Sequence, residues 1–186
     1  MKAIVCFAAF LAVASAASCP TLSPVAPFEV KDFMGTWYQQ YSINTFIMQG
    51  TGHCAKAEYT YNEDNDIISI VTSEKTMFGG ESTVQGSAVL AEPTLENGKL
   101  EVTLETILGE KIADVLVLAT DYKNYAILWS CQDIFTIPYE SAWTLTREEI
   151  LSDDVNQQIQ AAWETVAQHG GPKEKLWVPT SQENCF

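Results

Sequence analysis

The chain is poor in basic residues, and this scarcity limits what it can bind. Its 186 residues include 10 Lys and Arg against 24 Asp and Glu, which gives a net charge of -14 at pH 7. An acidic surface repels phosphate backbones and anionic lipid headgroups. We therefore expect no nucleic-acid partner.

Residues that carry catalysis or bind metals are also scarce. Only His53 and His169 supply imidazole, and the GxGxxG, P-loop, GxSxG and HExxH patterns are all missing. A serine or cysteine nucleophile needs a base beside it, and no spacing typical of a metal site occurs. We therefore predict no catalytic residue, no metal site and no enzymatic activity.

Long hydrophobic runs are confined to the N-terminus. Lys2 is followed by an apolar stretch, Ile4 to Val13, and by the small residues Ala14-Ser15-Ala16. This order predicts a secretory signal peptide over residues 1–16, which is too short to span a membrane. We expect residues 17–186 to form one secreted, extracellular domain with no transmembrane segment.

The cysteine count changes with the predicted cleavage. Cys6 leaves with the signal peptide, and Cys19, Cys54, Cys131 and Cys185 remain. An even set in an oxidising compartment predicts two disulfides. A metal site is the weaker alternative, since no CxxC pair occurs. Four cysteines allow three pairings, and the sequence alone does not choose among them.

Short extended segments separated by turn residues cover most of the chain. Asn97-Gly98 is the strongest hairpin-turn signal. Eight segments at near-regular spacing predict an all-β sandwich or an up-and-down barrel. The predicted strands are Gly35–Tyr41, Ala55–Tyr61, Ile67–Ser73, Glu81–Leu90, Lys99–Thr106, Ile112–Ala119, Tyr125–Cys131 and Glu140–Thr146.

One segment near the C-terminus has helical rather than strand periodicity. Ser152 is a suitable N-cap, and Gly170-Gly171-Pro172 is a suitable stop. The apolar stripe between them predicts a helix packed on the sheet. The stripe consists of Val155, Ile159, Ala162, Trp163 and Val166. A short extended piece, Leu176 to Pro179, follows.

Three short motifs occur in a characteristic order along the chain. Gly35-Thr36-Trp37 lies on the first strand, Thr120-Asp121-Tyr122 lies between the sixth and seventh, and Arg147 follows the eighth. Together they resemble the three signature regions of the lipocalins. The segment 120–131, TDYKNYAILWSC, is most similar to the lipocalin subgroup of apolipoprotein D, insect bilin-binding proteins and crustacyanins.

The resemblance implies a specific fold. It implies an eight-stranded antiparallel up-and-down barrel, or calyx, with one C-terminal helix on its flank. The implied disulfides are Cys19–Cys131 and Cys54–Cys185. Loops after strands one, three, five and seven would surround the open mouth. Structural roles at the closed base and in the motifs would fall to Gly35, Trp37, Thr120, Asp121, Tyr122 and Arg147.

The same resemblance fixes which side chains should face a ligand. If Trp37 and Arg147 point inward, strand alternation predicts the other inward positions. These are Gln39, Tyr41, Trp143 and Leu145, with Val115, Val117 and Ala119 by analogy. Tyr59 and Tyr61 lack an anchor and their aromatic face could be packed outward, but we favour the inward orientation and count both among the ligand-binding candidates. Trp143 is the best single pocket residue, because it offers a large apolar face and one N–H donor.

The predicted mouth loops are unusually apolar. Phe46 with Ile47-Met48, Met77-Phe78, and Ile134-Phe135 with Ile137 would ring the entrance. We count Phe46, Phe78 and Phe135 among the ligand-binding candidates. The rim could act as a lid over a ligand, or as a surface for another subunit, a lipoprotein or a membrane.

An eight-stranded barrel has room for one small ligand. The first hypothesis is a secreted carrier of a bilin, a carotenoid, a retinoid or a fatty acid. No cofactor is required, although a bilin or carotenoid chromophore could be the bound ligand. The second is an interaction or storage protein that forms homo- or hetero-oligomers through the barrel mouth. An isomerase would need a cavity thiol, and all four remaining cysteines match disulfide positions.

Overall fold

The computed structural model describes residues 18–45, 52–76, 79–106, 109–134, 137–172 and 177–185. The predicted signal peptide lies outside these ranges. Within them, no helix combines the length and the apolar character needed to cross a membrane.

Strands that pair with their sequence neighbours form the main body of the protein. Every pair is antiparallel, and pairing of the first strand with both the second and the eighth closes the sheet into a barrel. A sandwich is therefore excluded. The strands are β1 (Gly35–Ile43), β2 (His53–Asn62), β3 (Ile67–Lys75), β4 (Glu81–Leu90), β5 (Lys99–Thr106), β6 (Gly109–Thr120), β7 (Tyr125–Ile134) and β8 (Ile137–Thr146), with a short outer strand, β9 (Val178–Pro179), on β1.

Two helices flank the barrel. Helix α1 (Val30–Phe33) precedes β1, and helix α2 (Asp153–Gln168) follows β8. The Ser152 hydroxyl accepts a hydrogen bond from the Val155 N–H at 3.3 Å, which confirms the predicted N-cap. Together with the closed sheet, α2 gives the predicted all-β fold with one C-terminal flanking helix.

Strand alternation divides the buried side chains into an inner and an outer cluster. On β7, Leu128 faces the barrel interior, whereas Ile127 and Trp129 face outward. The outer cluster is covered by α2, whose Trp163 donates its indole N–H to the Thr144 hydroxyl at 2.9 Å. Both faces of this part of the sheet are therefore buried.

Two bulges reverse the alternation that the sequence predicts. The register of β1 shifts between Gln39 and Tyr41, so Tyr41 turns outward and packs on Trp177 at 5.5 Å between ring centres. A second shift, between Val117 and Ala119, turns Ala119 to the outer cluster. The inward assignments of Tyr41 and Ala119 were wrong because a bulge inserts one extra residue.

Arg147 and Trp37 close the base of the barrel. The guanidinium carbon of Arg147 lies 3.7 Å from the centre of the Trp37 ring, a cation–π contact. Burial lowers the pKa of Arg147, partly offset by the charge of Asp121. The guanidinium donates hydrogen bonds to the carbonyl oxygens of Asp32, Phe33, Thr36 and Tyr122 at 3.0–3.3 Å.

Gly35 has a steric reason to be glycine. Its φ of +96° lies in the region that only glycine adopts readily. A Cβ there would also lie 3.2 Å from a guanidinium nitrogen of Arg147. The first motif therefore combines a residue that yields space to Arg147 with the Trp37 ring that stacks on it.

Asp121 holds the turn between β6 and β7. One carboxylate oxygen accepts the backbone N–H groups of Lys123, Asn124 and Tyr125 at 2.8–3.1 Å. Burial alone raises the pKa of Asp121, but these hydrogen bonds, with one from the Asn124 side chain, outweigh it and hold the pKa below its usual value. This turn also places the Tyr122 carbonyl where it accepts a hydrogen bond from Arg147.

Glycine is required at Gly98 because of its contacts with the N-terminal lead, residues 18–29, rather than because of a tight turn. The connection between β4 and β5 spans residues 91–98 and contains a 3₁₀ turn, Pro93–Leu95, with positive φ at Glu96. The Gly98 N–H donates to the Val25 carbonyl at 2.9 Å, and the Gly98 carbonyl accepts the Val117 N–H at 2.8 Å. A Cβ at residue 98 would lie 3.0 Å from Val117. The turn signal at Asn97-Gly98 therefore lies at the end of a longer hairpin loop that joins β4 to β5.

The two disulfides join Cys19 to Cys131 and Cys54 to Cys185, as the resemblance implies. The first ties the lead to β7. The second ties the C-terminal tail, residues 177–185, to β2 at a seam of the barrel. The sequence separations of 112 and 131 residues make both bridges large constraints on the unfolded chain.

The seam lies where β1 and β2 stop pairing. Their register covers only Gly35–Tyr38 against Lys56–Tyr59. Beyond it, the Gln182 amide donates to the carbonyls of Gln39 and Ala55 at 2.8 and 2.9 Å. The tail also bonds to the backbone of Gln40 through Thr180 and to that of Cys54 through Ser181. The tail therefore completes the wall between the two strands.

Removing the Cys54–Cys185 bridge should loosen this seam. We expect Cys54→Ser/Cys185→Ser to lower the free energy of unfolding by about 2–5 kcal/mol and to speed hydrogen exchange at the Thr180 and Cys54 amides. The matched control is Cys19→Ser/Cys131→Ser, which should lower stability without that local increase. Unchanged exchange at both amides would show that the bridge does not hold the tail.

Asp121 should contribute to stability in a pH-dependent way. Because its pKa is lower in the folded state, its contribution is present above about pH 4, the ordinary value, and is lost as pH falls through the lowered pKa. Asp121→Asn should therefore lower the free energy of unfolding by about 1 kcal/mol near pH 7, and its difference from the wild type should shrink as pH falls below about 4. Urea midpoints measured from pH 2 to 7 check this. A stability difference between wild type and variant that stays constant across that pH range would contradict the prediction.

Candidate functional site

The barrel interior holds a cavity that is open at its mouth. Its wall is formed by inward-facing side chains of the strands, and most are apolar. Leu100, Val102 and Leu104 on β5 form one side, and Val115 and Leu128 on β6 and β7 continue it. Such a wall offers an oily ligand an environment without water.

Aromatic rings close the cavity at the base. The rings of Phe28, Phe33 and Trp37 pack in sequence at 5.4 and 5.2 Å between centres. Tyr59 meets Phe33 edge-on at 5.3 Å. The Trp37 indole N–H donates to the Phe33 carbonyl at 2.8 Å, so this plug is internally bonded. A ligand therefore enters only from the opposite end.

Small side chains keep the middle of the barrel open. Ala55 and Ala57 occupy inward positions on β2. Gly86 lies inward on β4, where a Cβ would approach Leu104 Cδ2 to 2.7 Å. Large residues at these positions would fill the space that the wall encloses.

Five of the residues predicted to face a ligand lie on the cavity wall. Trp143 and Leu145 come from β8, where they are 8% and 3% exposed. Gln39, Tyr59 and Val115 come from β1, β2 and β6. The structure thus brings them together around one space, and their ligand-binding role stays a prediction.

The other predicted residues do not line the cavity. Tyr41 faces outward because of the β1 bulge. Tyr61 is at the end of β2, where its hydroxyl donates to Asp66 at 2.6 Å. Val117 is fully buried below the cavity, and it lies beside Gly98, which contacts the N-terminal lead. Phe46, Phe78 and Phe135 lie outside the described residues.

Several wall residues were missed by the sequence analysis. They come from β3, β4, β5 and β7, where no motif anchored the register. On β5, Leu100, Val102 and Leu104 alternate with the polar residues Glu101 and Thr103. This period-two pattern identifies the inward face of the strand, and applying it would have found this part of the wall.

Polar side chains lie on the wall away from the aromatic base. Thr72, Glu74 and Ser82 line this part. A carboxylate oxygen of Glu74 accepts the Gly52 N–H at 3.0 Å. The cavity is therefore apolar at its centre and more polar in this region.

The described residues offer little for chemistry on a bound molecule. All four of their cysteines are in disulfides. No group of three His, Cys, Asp or Glu among them could hold a metal ion. Burial raises the pKa of the Tyr59 hydroxyl, so it is a neutral donor rather than a base. The arrangement is suited to enclosing a ligand.

Known proteins resemble this chain in sequence and in fold. The profile of the Lipocalin / cytosolic fatty-acid binding protein family matches residues 34–179. Mouse (Mus musculus) apolipoprotein D is 29% identical over 168 residues, which cover 90% of this chain and 84% of that protein.

Two solved structures share the fold. Insecticyanin of the tobacco hornworm Manduca sexta has a TM-score of 0.76 at 23% identity, covering 88% of this chain and 86% of its own. Lobster apocrustacyanin A1 has a TM-score of 0.64 at 20% identity, covering 88% and 92%. The matched profile, the closed barrel and the Arg147–Trp37 base together show that the chain belongs to the lipocalin family.

Proposed function

We propose that the protein is a secreted carrier that holds one small hydrophobic ligand inside its barrel. The observation that carries this proposal is the apolar cavity, closed at the base by Trp37 and Phe33. The lack of a free thiol or metal cluster in the described residues is consistent with binding rather than turnover.

The apolar wall is sufficient for useful affinity. Burial of apolar surface contributes about 25 cal/mol per Å², so a ligand with about 400 Å² of such surface gains ~10 kcal/mol before ordering costs. Losing translational freedom on binding takes back several kcal/mol. With about 4 kcal/mol lost in this way, ~6 kcal/mol remains, which corresponds to a Kd of tens of micromolar without any charged contact.

A bilin, a carotenoid, a retinoid or a fatty acid fits this cavity chemistry. The resemblance to the subgroup with insect bilin-binding proteins and crustacyanins supports a pigment. A visible absorption spectrum of the purified protein, followed by titration with biliverdin and astaxanthin, tests this part. A colourless protein that binds neither would leave the carrier proposal with a retinoid or a fatty acid.

Export from the cell fits the covalent structure. Two disulfides with large sequence separations are typical of proteins that fold in an oxidising compartment. The signal-peptide pattern at residues 1–16 supports the same location. Both cysteine pairs should therefore be oxidised in protein recovered from the culture medium.

Association through the mouth is a second candidate function. Ile112, Ile134 and Ile137, at the mouth ends of β6, β7 and β8, are 57%, 41% and 70% exposed. Exposed isoleucines grouped at one end of a barrel are typical of a contact surface. Sedimentation velocity tests this candidate, and a strict monomer that still binds ligand would reject it.

Trp143 should contribute mainly to ligand binding, and Trp37 should contribute mainly to stability. Trp143→Ala should weaken binding of the neutral probe N-phenyl-1-naphthylamine about tenfold or more, because it removes a wall residue worth ~1.5–3 kcal/mol of apolar contact. Trp37→Ala should instead lower the free energy of unfolding by about 3–5 kcal/mol, since it removes the centre of the base. Probe fluorescence and urea unfolding measure the two effects.

The control for this pair is Trp129→Ala. Trp129 lies in the outer cluster and donates to Glu140 at 3.0 Å, away from the cavity. It should lower stability and leave the affinity of the folded protein for the probe unchanged. If Trp143→Ala kept full affinity, the inward face assigned to β8 would not form the binding site.

A further inference from the structure

Two aromatic side chains on the cavity wall each carry a hydrogen-bond donor that has no partner among the described residues. Within the described ranges, neither the Tyr59 hydroxyl nor the Trp143 indole N–H makes a hydrogen bond, although each residue is only 8% exposed. The indoles of Trp37, Trp129 and Trp163 each donate to a carbonyl, carboxylate or hydroxyl oxygen. Of the five indoles in the described residues, those of Trp143 and Trp177 lack a partner.

These two donors open into the cavity rather than into packed protein. Among the described residues, the Trp177 indole is the one side-chain group both sealed from solvent and unpaired. Tyr59 and Trp143 both line the cavity. Their polar atoms consequently face the space that a ligand would occupy.

Tyr59 lies near the closed end of this space. It pairs with Gly35 at the start of β1, and its ring contacts Phe33 of the base plug. Trp143 pairs with Ser42, further along β1 toward the mouth. A ligand that fills the cavity to its base would therefore meet the Tyr59 hydroxyl at its leading end.

The surroundings of Tyr59 define which ligand group it suits. Burial raises the pKa of the hydroxyl, so it remains a donor at physiological pH. Arg147, the cation at the base, uses its N–H groups on backbone carbonyls and stacks on Trp37. Lys56, the cation among the cavity-lining residues, lies further along β2, opposite Tyr38. A carboxylate at this depth would be buried without a free positive partner, which is unfavourable. A neutral oxygen acceptor has no such penalty.

We propose that the ligand carries a neutral carbonyl or similar acceptor oxygen at its leading end, and that the Tyr59 hydroxyl donates a hydrogen bond to it. This inference rests on the proposed carrier function and narrows its ligand class. A buried donor that needs a partner favours ligands that supply one and disfavours hydrocarbons that do not. Tyr59 is thus a specificity-determining residue.

A matched pair of ligands and a matched pair of variants test this inference. 2-Acetylnaphthalene and 2-isopropenylnaphthalene have nearly the same shape and differ by a carbonyl oxygen against a methylene group. Tyr59→Phe removes only the hydroxyl on the wall. Tyr61→Phe is the control, because that hydroxyl donates to Asp66 outside the cavity. Affinities come from displacement of N-phenyl-1-naphthylamine.

Tyr59→Phe should weaken binding of the ketone about fivefold, the effect of one neutral hydrogen bond. It should change binding of the alkene by less than about twofold, and Tyr61→Phe should change neither. The ligand-free Tyr59→Phe protein should keep or raise the wild-type Tm, since it loses an unpaired buried hydroxyl. A purely structural hydroxyl would lower the Tm instead.

The possible failures are distinguishable. Tyr59→Phe could weaken binding of both ligands equally, or could leave both affinities unchanged while the wild type binds both. In either case the hydrogen bond does not exist and the carrier function stands. A marked fall in Tm for this variant would also overturn the inference, because it would assign the hydroxyl a partner within the protein. If the wild type binds neither ligand nor the fluorescent probe, the carrier proposal itself fails.

Discussion

The stack of Arg147 on Trp37 is the interaction on which the rest of the barrel depends. It brings the end of β8 onto the start of β1, and its hydrogen bonds hold α1, β1 and the β6–β7 turn under the same guanidinium. Phe33 and Phe28 pack on this unit and complete the plug. Because the base is filled by large rings and bonded backbone, the space above it is a blind cavity rather than a pore. The residues of all three sequence motifs therefore contribute to one structure, the closed base of the barrel.

The open middle of the barrel follows from a different set of constraints. Small residues on β2 and β4 leave space, and β1 and β2 separate beyond Lys56 so that the tail must complete the wall. Gln182 bridges the two strands, and the Cys54–Cys185 bond fixes the tail in place. The second disulfide thus belongs to the cavity wall as much as to global stability. A polar region on the wall and unpaired donors within it give an otherwise oily cavity the means to select among ligands.

Motif and periodicity predicted the fold and five residues of the cavity wall, and the failures have local physical causes. Trp143, Leu145 and Gln39 follow from the anchors at Arg147 and Trp37 by simple alternation. Tyr41 does not, because a bulge reverses the parity and single-sequence alternation contains no signal for an inserted residue. The contact that requires Gly98 comes from Val25, far away in sequence, so a local turn pattern does not reveal it. The Tyr59 hydroxyl became informative only once its lack of a partner was visible in three dimensions.

Native mass spectrometry of the protein recovered from the medium in which it is expressed tests the central claim most directly. The account predicts a folded chain with both disulfides formed and one small, largely apolar molecule retained per barrel, released when the protein is denatured. The released molecule should contain at least one neutral oxygen acceptor. A folded, fully oxidised chain that retains nothing and takes up no hydrophobic molecule on titration would contradict the account.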